Sequence, residues 1–446
     1  MMKASRMFQP SCPVEIISLF FKEESRMKKF LALLLAMVMS LSLAACGSSD
    51  TEEPTTDEGT TTEESAASDL KIGLICVHDE NSGYDLAHID GLKTACSELG
   101  IDESQITMKI NIPESEECYD AAIQLVEAGC NIIFSDSYGH QSYMALAAQD
   151  CPDVTFVACT GDQAGVAGLD NLKNIFPYTY ESRYVSGVVA GMKLKEMMDN
   201  GEVTDPYIGY VGAYPYAEVV CGYTAFLLGI QSIVPEAHMD VQYTNSWYDL
   251  NAEAEAANAL MARGCVIIGQ HADSTGAPSA VEAARKNGTN AYSVGYNIDM
   301  LSVAPEAALT SAQNNWSVLY KATLQHMLDG TEIPADYACG YADGAVMIST
   351  LGESCAEGTQ EAVDAAWAGI KDGSLKVFDT SKFTVDGAPV DSHTFNSSII
   401  DFTTGNVIYE GQDYETIVDG AFQESVFRAA PYFDLRIDGI TELNPS

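Results

Sequence analysis

The sequence predicts an α/β protein of two doubly wound lobes, each a mostly parallel sheet covered by helices on both faces. Three observations carry that expectation. From Leu70 onward, short β-rich runs alternate with amphipathic helical runs, the order that βαβ units impose. The strand candidates are nearly continuous apolar runs, as a parallel sheet buried on both faces requires. The chain has 446 residues, 47% of them hydrophobic, enough for two lobes and an appendage at about 150 residues per domain.

Taken in order, strands fall at 71–77, 106–112, 131–136 and 154–160, then at 207–213, 239–245, 266–271 and 291–297. Helices fit between them at 85–99, 117–128, 183–198, 252–262 and 278–286, where apolar residues recur at helical spacing. The acidic crossover at 199–206 reads as the seam between lobes. It puts 69–204 with 300–332 in a first lobe, and 205–299 with 333–380 in a second. From 381 to 446 the text turns aromatic and Asp-rich. There 395–410 reads as a hairpin about Thr403-Thr404-Gly405-Asn406, so a C-terminal β-rich extension is expected.

Ahead of these elements lies an address. Met27-Lys28-Lys29 precedes sixteen uncharged residues, 30–45, which end in Leu43-Ala44-Ala45 before Cys46. A basic start, an apolar run and small residues at a cut site describe a secretory signal. Sixteen residues fall short of the ~20 that a membrane-spanning helix needs. The ending resembles the bacterial lipobox, in which Cys46 would be lipidated and become the mature N-terminus. On that reading 27–45 is the signal peptide and 1–26 is a mis-annotated upstream segment. Lys22-Glu23-Glu24 can be encoded by a purine run like a ribosome-binding site, which favours Met27 as the start; a long basic n-region is the alternative. After Cys46, residues 47–68 carry seven acids and no cation. Such text cannot form a core, and as a flexible tether it spans ~26 Å.

Lys plus Arg number 22 against 64 Asp plus Glu, a net charge of −42. Nucleic acids bind through clustered cations that this chain lacks, so they are excluded as partners. Cys12 and Cys46 lie in the leader, and the other ten of the twelve Cys form no C-x-x-C and no Cys/His cluster. They read as small core hydrophobes, with one or two disulfides left open for an exported chain. The seven His are dispersed without ligand spacing, so neither a metal nor a cofactor is expected.

In doubly wound sheets, ligands sit beyond the carboxyl ends of the strands. Five loops at such positions mix aromatics with amides and carboxylates. They hold Asn81 and Tyr84, Asp136 and Ser137, Trp247 and Asp249, His271 and Asp273, and Asn297 and Asp299. Five at equivalent positions point to one shared cleft. Asn amides both donate and accept, and Tyr and Trp stack on flat rings, which suits a flat ligand with mixed donor and acceptor edges. Each residue also has a purely structural reading. Trp247 and Trp316 would serve as lobe core, Tyr84 as a helix start, Asp249 as a helix N-cap and His271 as a satisfied strand-end histidine.

At these loops the chain resembles the basic membrane lipoprotein family, the substrate-binding lipoproteins of purine-nucleoside ABC importers. The resemblance rests on Asp90-Gly91-Leu92-Lys93, Tyr180-Glu181-Ser182-Arg183, Trp247-Tyr248-Asp249, Gly295-Tyr296-Asn297-Ile298-Asp299 and Leu309-Thr310-Ser311-Ala312. Their order and spacing carry it over residues 70–380. It implies a type I periplasmic-binding-protein fold, whose two lobes close about a hinge on a small purine-type ligand. It further implies delivery to an ABC permease from the extracytoplasmic face of the cell membrane, through an N-terminal lipid anchor. By position, Asn81 and Tyr84 would meet the purine face, Asp136 and Ser137 its polar edge, and Asp299 the ribose. Two positions depart from the family pattern. Asn297 stands where a second acid is usual, and Asn314, followed by Asn315-Trp316, stands where a Lys is usual. An acid–Lys grip on ribose is therefore absent, and the two amides suit a free base at least as well as its nucleoside.

No G-x-S-x-G elbow, P-loop or G-x-G-x-x-G occurs. Asp273-Ser274 beside His271 has the residue types of a nucleophile site, and Asp136 with Asp299 those of a carboxylate pair. A polar binding cleft holds the same groups. Capture and delivery stand ahead of a ligand-sensing surface lipoprotein, and both stand ahead of an exported nucleoside-hydrolysing enzyme.

Overall fold

The computed structural model describes residues 69–400 and 406–445. The signal, Cys46, the tether and most of the turn expected at 403–406 lie outside the described residues.

The first lobe begins with β1 (Ile72–Ile75), α1 (Gly83–Glu98), β2 (Ile106–Lys109), α2 (Glu116–Glu127) and β3 (Ile132–Ser135). It continues through α3 (Gln141–Asp150), β4 (Thr155–Ala158) and β5 (Leu172–Pro177). Then come α4 (Thr179–Asp199), β6 (Tyr207–Gly212), α5 (Ala217–Gln231), β7 (His238–Tyr243) and α6 (Leu250–Ala262). These are followed by β8 (Ile267–Gln270), α7 (Gly276–Lys286), β9 (Tyr292–Tyr296) and β10 (Ala308–Asn314). The last main elements are α8 (Trp316–Asp329), β11 (Asp336–Cys339), β12 (Val346–Ile348) and α9 (Thr359–Asp372).

One sheet runs β11-β5-β4-β3-β1-β2, with every pairing parallel. The other runs β12-β10-β9-β8-β6-β7 and ends on a strand at Ile440–Glu442; it is parallel except where β12 meets β10. The central strands β1, β3 and β8 are buried along their whole length, as the apolar runs foretold. Edge strand β2 is only half-buried.

The chain crosses between lobes three times: from β5 to α4, from β10 to α8 and from β11 to β12. This corrects the expected boundaries. Helix α4, expected in the first lobe, supplies Val185, Val189 and Leu194 to the second-lobe core. It lies so close to α5 that a Cβ on Gly187 would fall 2.2 Å from the Phe226 carbonyl oxygen. Strand β10 likewise joins the second sheet, and β11 the first. The acidic stretch at 199–206 is only the connection from α4 to β6. Its composition marks a surface turn, while the real crossings are a few ordinary residues each.

The 381–446 segment is β-rich, but it is not simply appended. Thr394–Asn396 pairs with Asp413–Glu415, and Ile399–Ile400 with Val407–Tyr409, both antiparallel. The final strand then lies parallel to β7 at the edge of the second sheet. Phe422, Tyr432 and Phe433 enter the second-lobe core. All ten Cys of the described residues are free, eight of them buried, so they pack as small hydrophobes. No helix among the described residues is long and apolar enough to cross a membrane.

Candidate functional site

A cleft lies between the lobes at the carboxyl ends of the strands, with about 370 Å³ of empty space when open solvent is included. The first lobe lines it with Val77, Tyr84, Asp136, Ser137, Tyr138 and Thr160, and the second with Glu218, Trp247, His271, Asp273 and Tyr296. The lobes also touch each other. The Gly83 N–H points at the Asp273 carbonyl oxygen at 3.4 Å, and the His78 and Tyr248 rings lie 5.6 Å apart.

The first wall is held by its own loops. Tyr84, in the first turn of α1, donates its hydroxyl to the Cys159 carbonyl oxygen at 3.0 Å. Asp136, just beyond β3, accepts the Val77 N–H on Oδ1 at 3.0 Å. Ser137 donates to Glu114 at 2.6 Å, and Tyr138 to Asp162 at 2.8 Å. Behind them, ligand atoms of Cys76, Asp85 and Asp136 lie within 4.8 Å of one another, all buried. Burial, then the neighbouring Asp85 charge, pushes the Asp136 carboxyl well up. Burial opposes ionisation of Asp85 too, but bonds from His78 and Ser82 outweigh it and hold that carboxyl low. Burial, then Asp136, raises the Cys76 thiol. The opposite directions fit a proton on Asp136 beside an ionised Asp85, with Cys76 a thiol.

The second wall is built over a cation. Arg183, on α4, is 2% exposed. It donates from Nη1 to the Gln270 carbonyl at 2.6 Å and lies 3.7 Å over the Tyr296 ring. Its Nε and Nη2 have no partner. Glu218 Oε1 faces His271 Nε2 at 3.2 Å. Burial raises Glu218 to about 7, with Arg183 pulling the other way. Burial, then Arg183, holds His271 well below its ordinary value, so the ring is neutral. Asp273 is raised by burial and then by surrounding acids, and its Oδ1 accepts Asn297 Nδ2–H at 2.9 Å. Trp247 meets the Tyr214 ring edge-on at 5.1 Å.

Tyr84, Asp136, Ser137, Trp247, His271 and Asp273 therefore line the cavity as the strand-end rule foresees. The other six expected residues do not. Asn81 is exposed and bonds Asp79 through its amide. Asp249 is the N-cap of α6, accepting the Asn251 and Ala252 N–H groups. Asp299 is exposed and caps the short turn Met300–Ser302. Asn297 and Asn314 stand one layer back, behind Asp273 and Tyr296 respectively. Trp316 is 1% exposed in the first-lobe core, its ring 3.8 Å from His88. Asx side chains in loops satisfy nearby backbone first, which removed Asp249 and Asp299, while Asn81 is taken up by the Asp79 carboxylate.

Val77, Tyr138, Thr160, Glu218 and Tyr296 were not singled out by the sequence. All sit at strand ends or on the loops and turns that follow, so the same rule, applied to every loop, would have found them. Arg183 follows Glu181-Ser182 inside α4 and stands at no strand end, so that rule does not reach it. The enzyme-like constellations do not form. Asp299 does not join Asp136, and Ser274 Oγ accepts the Gly276 N–H at 3.0 Å instead of meeting His271.

Two parallel-sheet lobes, three crossings and a cavity between the strand ends define a type I periplasmic-binding-like solute-binding protein. A solute-binding protein of an ABC transporter system from Aeropyrum pernix K1 shares the fold, with a TM-score of 0.59, 15% identity and coverage of 69% of this chain and 93% of that one. One from Conexibacter woesei gives a TM-score of 0.51 at 19% identity, covering 69% and 98%. The chain belongs to the Bmp family of PnrA-like ABC transporter substrate-binding proteins, whose model matches residues 76–380. It is similar to "Purine-binding protein BAB2_0673" of Brucella abortus, with 31% identity over 69% of this chain and 83% of that protein. It is also similar to "Putative ABC transporter glucose-binding protein TsgA13" of Haloferax volcanii, with 30% identity over 68% and 72%. "Basic membrane protein A" of Borreliella burgdorferi is 24% identical over 64% and 75%. The family is one of solute-binding proteins of ABC transporters.

Proposed function

We propose that this protein captures a neutral purine, as base or nucleoside, between its lobes and delivers it to an ABC permease. The single observation that carries the reading is the lining itself: four aromatic rings and three acids, with no Lys or Arg among the lining residues. Tyr84, Tyr138, Trp247 and Tyr296 offer faces and edges to a flat ring. Asp136, Glu218 and Asp273 offer acceptors for ring N–H and amino groups, and a protonated Asp136 also offers a donor. Phosphorylated ligands find no Lys or Arg among the lining residues and are disfavoured. The Brucella relative's name agrees; the Haloferax relative's does not, so glucose belongs in the test.

Ligand docking on one lobe and closure of the other is a population shift toward the closed form that a permease would read. With Asn297 and Asn314 one layer back, preference for base over nucleoside rests on the absent cation alone. The secretory signal, lipidation at Cys46 and anchoring on the extracytoplasmic face complete the reading. Cys46→Ala should leave an uncleaved or released protein.

Thermal shift with guanine, hypoxanthine, adenosine, guanosine and glucose tests it, because a ligand of the native state alone stabilises by RT ln(1 + [L]/Kd). A shift with purines supports the reading. A shift with glucose and none with purines overturns it.

A further inference from the structure

The family match ends at residue 380, yet the chain beyond it reaches both lobes. Its hold on the second lobe is apolar: Phe433 stacks on Phe378 at 4.4 Å, and Phe422 and Ile437 are buried beside them. Buried Glu424 then folds the segment into a loop by accepting the N–H groups of Ser425, Tyr432 and Phe433. The tip of that loop touches the first lobe. Ala429, 1% exposed, joins the first-lobe core, and its N–H donates to Asp336 at 3.1 Å. Arg428 Nη1 pairs with Asp162 Oδ2 at 3.3 Å, the two side chains being 15% and 8% exposed. The guanidinium is aimed by its own segment, donating from Nε to the Ala430 carbonyl and from Nη2 to the Pro431 carbonyl, both at 3.2 Å.

Asp162 Oδ2 is also the atom that accepts the Tyr138 hydroxyl at 2.8 Å, and Tyr138 lines the cavity. A line of contacts thus runs from the extension through Arg428 and Asp162 to the ligand wall.

We propose that the C-terminal extension is a working part of the ligand site, with Arg428 as a positioning residue that fixes the Tyr138 hydroxyl through Asp162. A phenol has a single O–H. Spent on Asp162, it leaves the Tyr138 oxygen only lone pairs for the cavity. Tyr138 then selects a ligand that presents a donor, such as a ring N–H or an exocyclic amine, and disfavours one that presents a carbonyl there. Burial, then Asp162, raises the Tyr138 phenol, which keeps that proton in place. Without Arg428, Asp162 loses the contact that holds its Oδ2 in place, and the hydroxyl that this oxygen accepts loses its fixed direction.

The selection rests on the purine reading above, but the positioning does not, and the experiment separates them. The protein is labelled with [ζ-13C]tyrosine, and the Tyr138 signal is identified by its loss in Tyr138→Phe. In the ligand-free state this signal should move in Arg428→Ala and move less in Arg428→Lys, while that of Tyr119, whose hydroxyl donates to Asp150, stays. Guanine titrated into the same proteins should bind Arg428→Ala up to about tenfold more weakly, the upper size for one hydrogen bond between neutral groups. In a Tyr138→Phe background, Arg428→Ala should add no further loss.

A Tyr138 signal unmoved in both Arg428 variants overturns the positioning. An equal loss of affinity with and without the Tyr138 hydroxyl overturns it too. Failure of wild type to bind any purine overturns the function proposed above, and the Tyr138 signal then still decides the role of Arg428. Should Arg428→Ala not fold, the smaller movement in Arg428→Lys decides it.

Discussion

The two walls of the cavity solve the same problem by different means. Each buries acids against a ligand site. The first wall holds a proton on Asp136 beside an ionised Asp85. On the second wall burial likewise raises Glu218 and Asp273, but a buried cation, Arg183, seated over the Tyr296 ring, pulls against that rise. A proton leaves or arrives with pH, whereas a guanidinium is permanent. The first wall should therefore tolerate a neutral isostere, and the second should not tolerate losing its cation.

The largest effects expected at the walls test that contrast. Arg183→Met should cost about 1–3 kcal/mol in urea unfolding, because it leaves the buried Gln270 carbonyl oxygen without its donor and takes the cation off the Tyr296 ring. Asp136→Asn should change stability by less than about 1 kcal/mol, since it replaces a neutral carboxyl with a neutral amide of the same shape. Equal losses at the two walls would break the comparison. Trp316→Ala should cost about 3–5 kcal/mol as a core truncation, without moving ligand preference.

The pH profile sharpens it further. Glu181, Glu218, Glu253 and Glu424 are each raised by burial from the ordinary glutamate value to about 7. Between about pH 4.5 and 7 the folded state therefore binds more protons than the unfolded one, so stability falls as pH rises through that window and then levels. Unfolding free energies at pH 5, 6, 7 and 8 check the sign. Glu218→Gln should flatten part of the slope, and an unchanged slope would remove Glu218 from the account.

Smaller effects belong to single contacts. Trp247→Ala should weaken purine binding about tenfold, near the upper value of one aromatic contact, with little change in folding. Tyr84→Phe removes one hydroxyl bonded to the Cys159 carbonyl and should cost about 1 kcal/mol of stability.

Much of the fold was legible because buried parallel strands write themselves as apolar runs; β1, β3 and β8 are examples. The lobe boundaries were not, because each crossing is a few residues with no compositional mark. The site was legible in the loops after β3 and β8, where Asp136, Ser137, His271 and Asp273 follow their strands directly. It failed for Asn81, Asp249 and Asp299, whose short polar side chains were claimed by their own turns. Trp247 and Trp316 show a harder limit. Both sit in polar text, and only packing reveals that one faces the cavity while the other stacks on His88. Arg428 was out of reach altogether, since its partner Asp162 lies 266 residues away in sequence.

The central claim is that the aromatic and acidic cavity between the lobes is a purine site. Titration calorimetry of wild type and Trp247→Ala with guanine, guanosine and glucose tests it most directly. The account predicts saturable purine binding to wild type, about tenfold weaker in Trp247→Ala, and no heat from glucose. Saturable binding of glucose with none of either purine, or purine binding indifferent to Trp247, would contradict it.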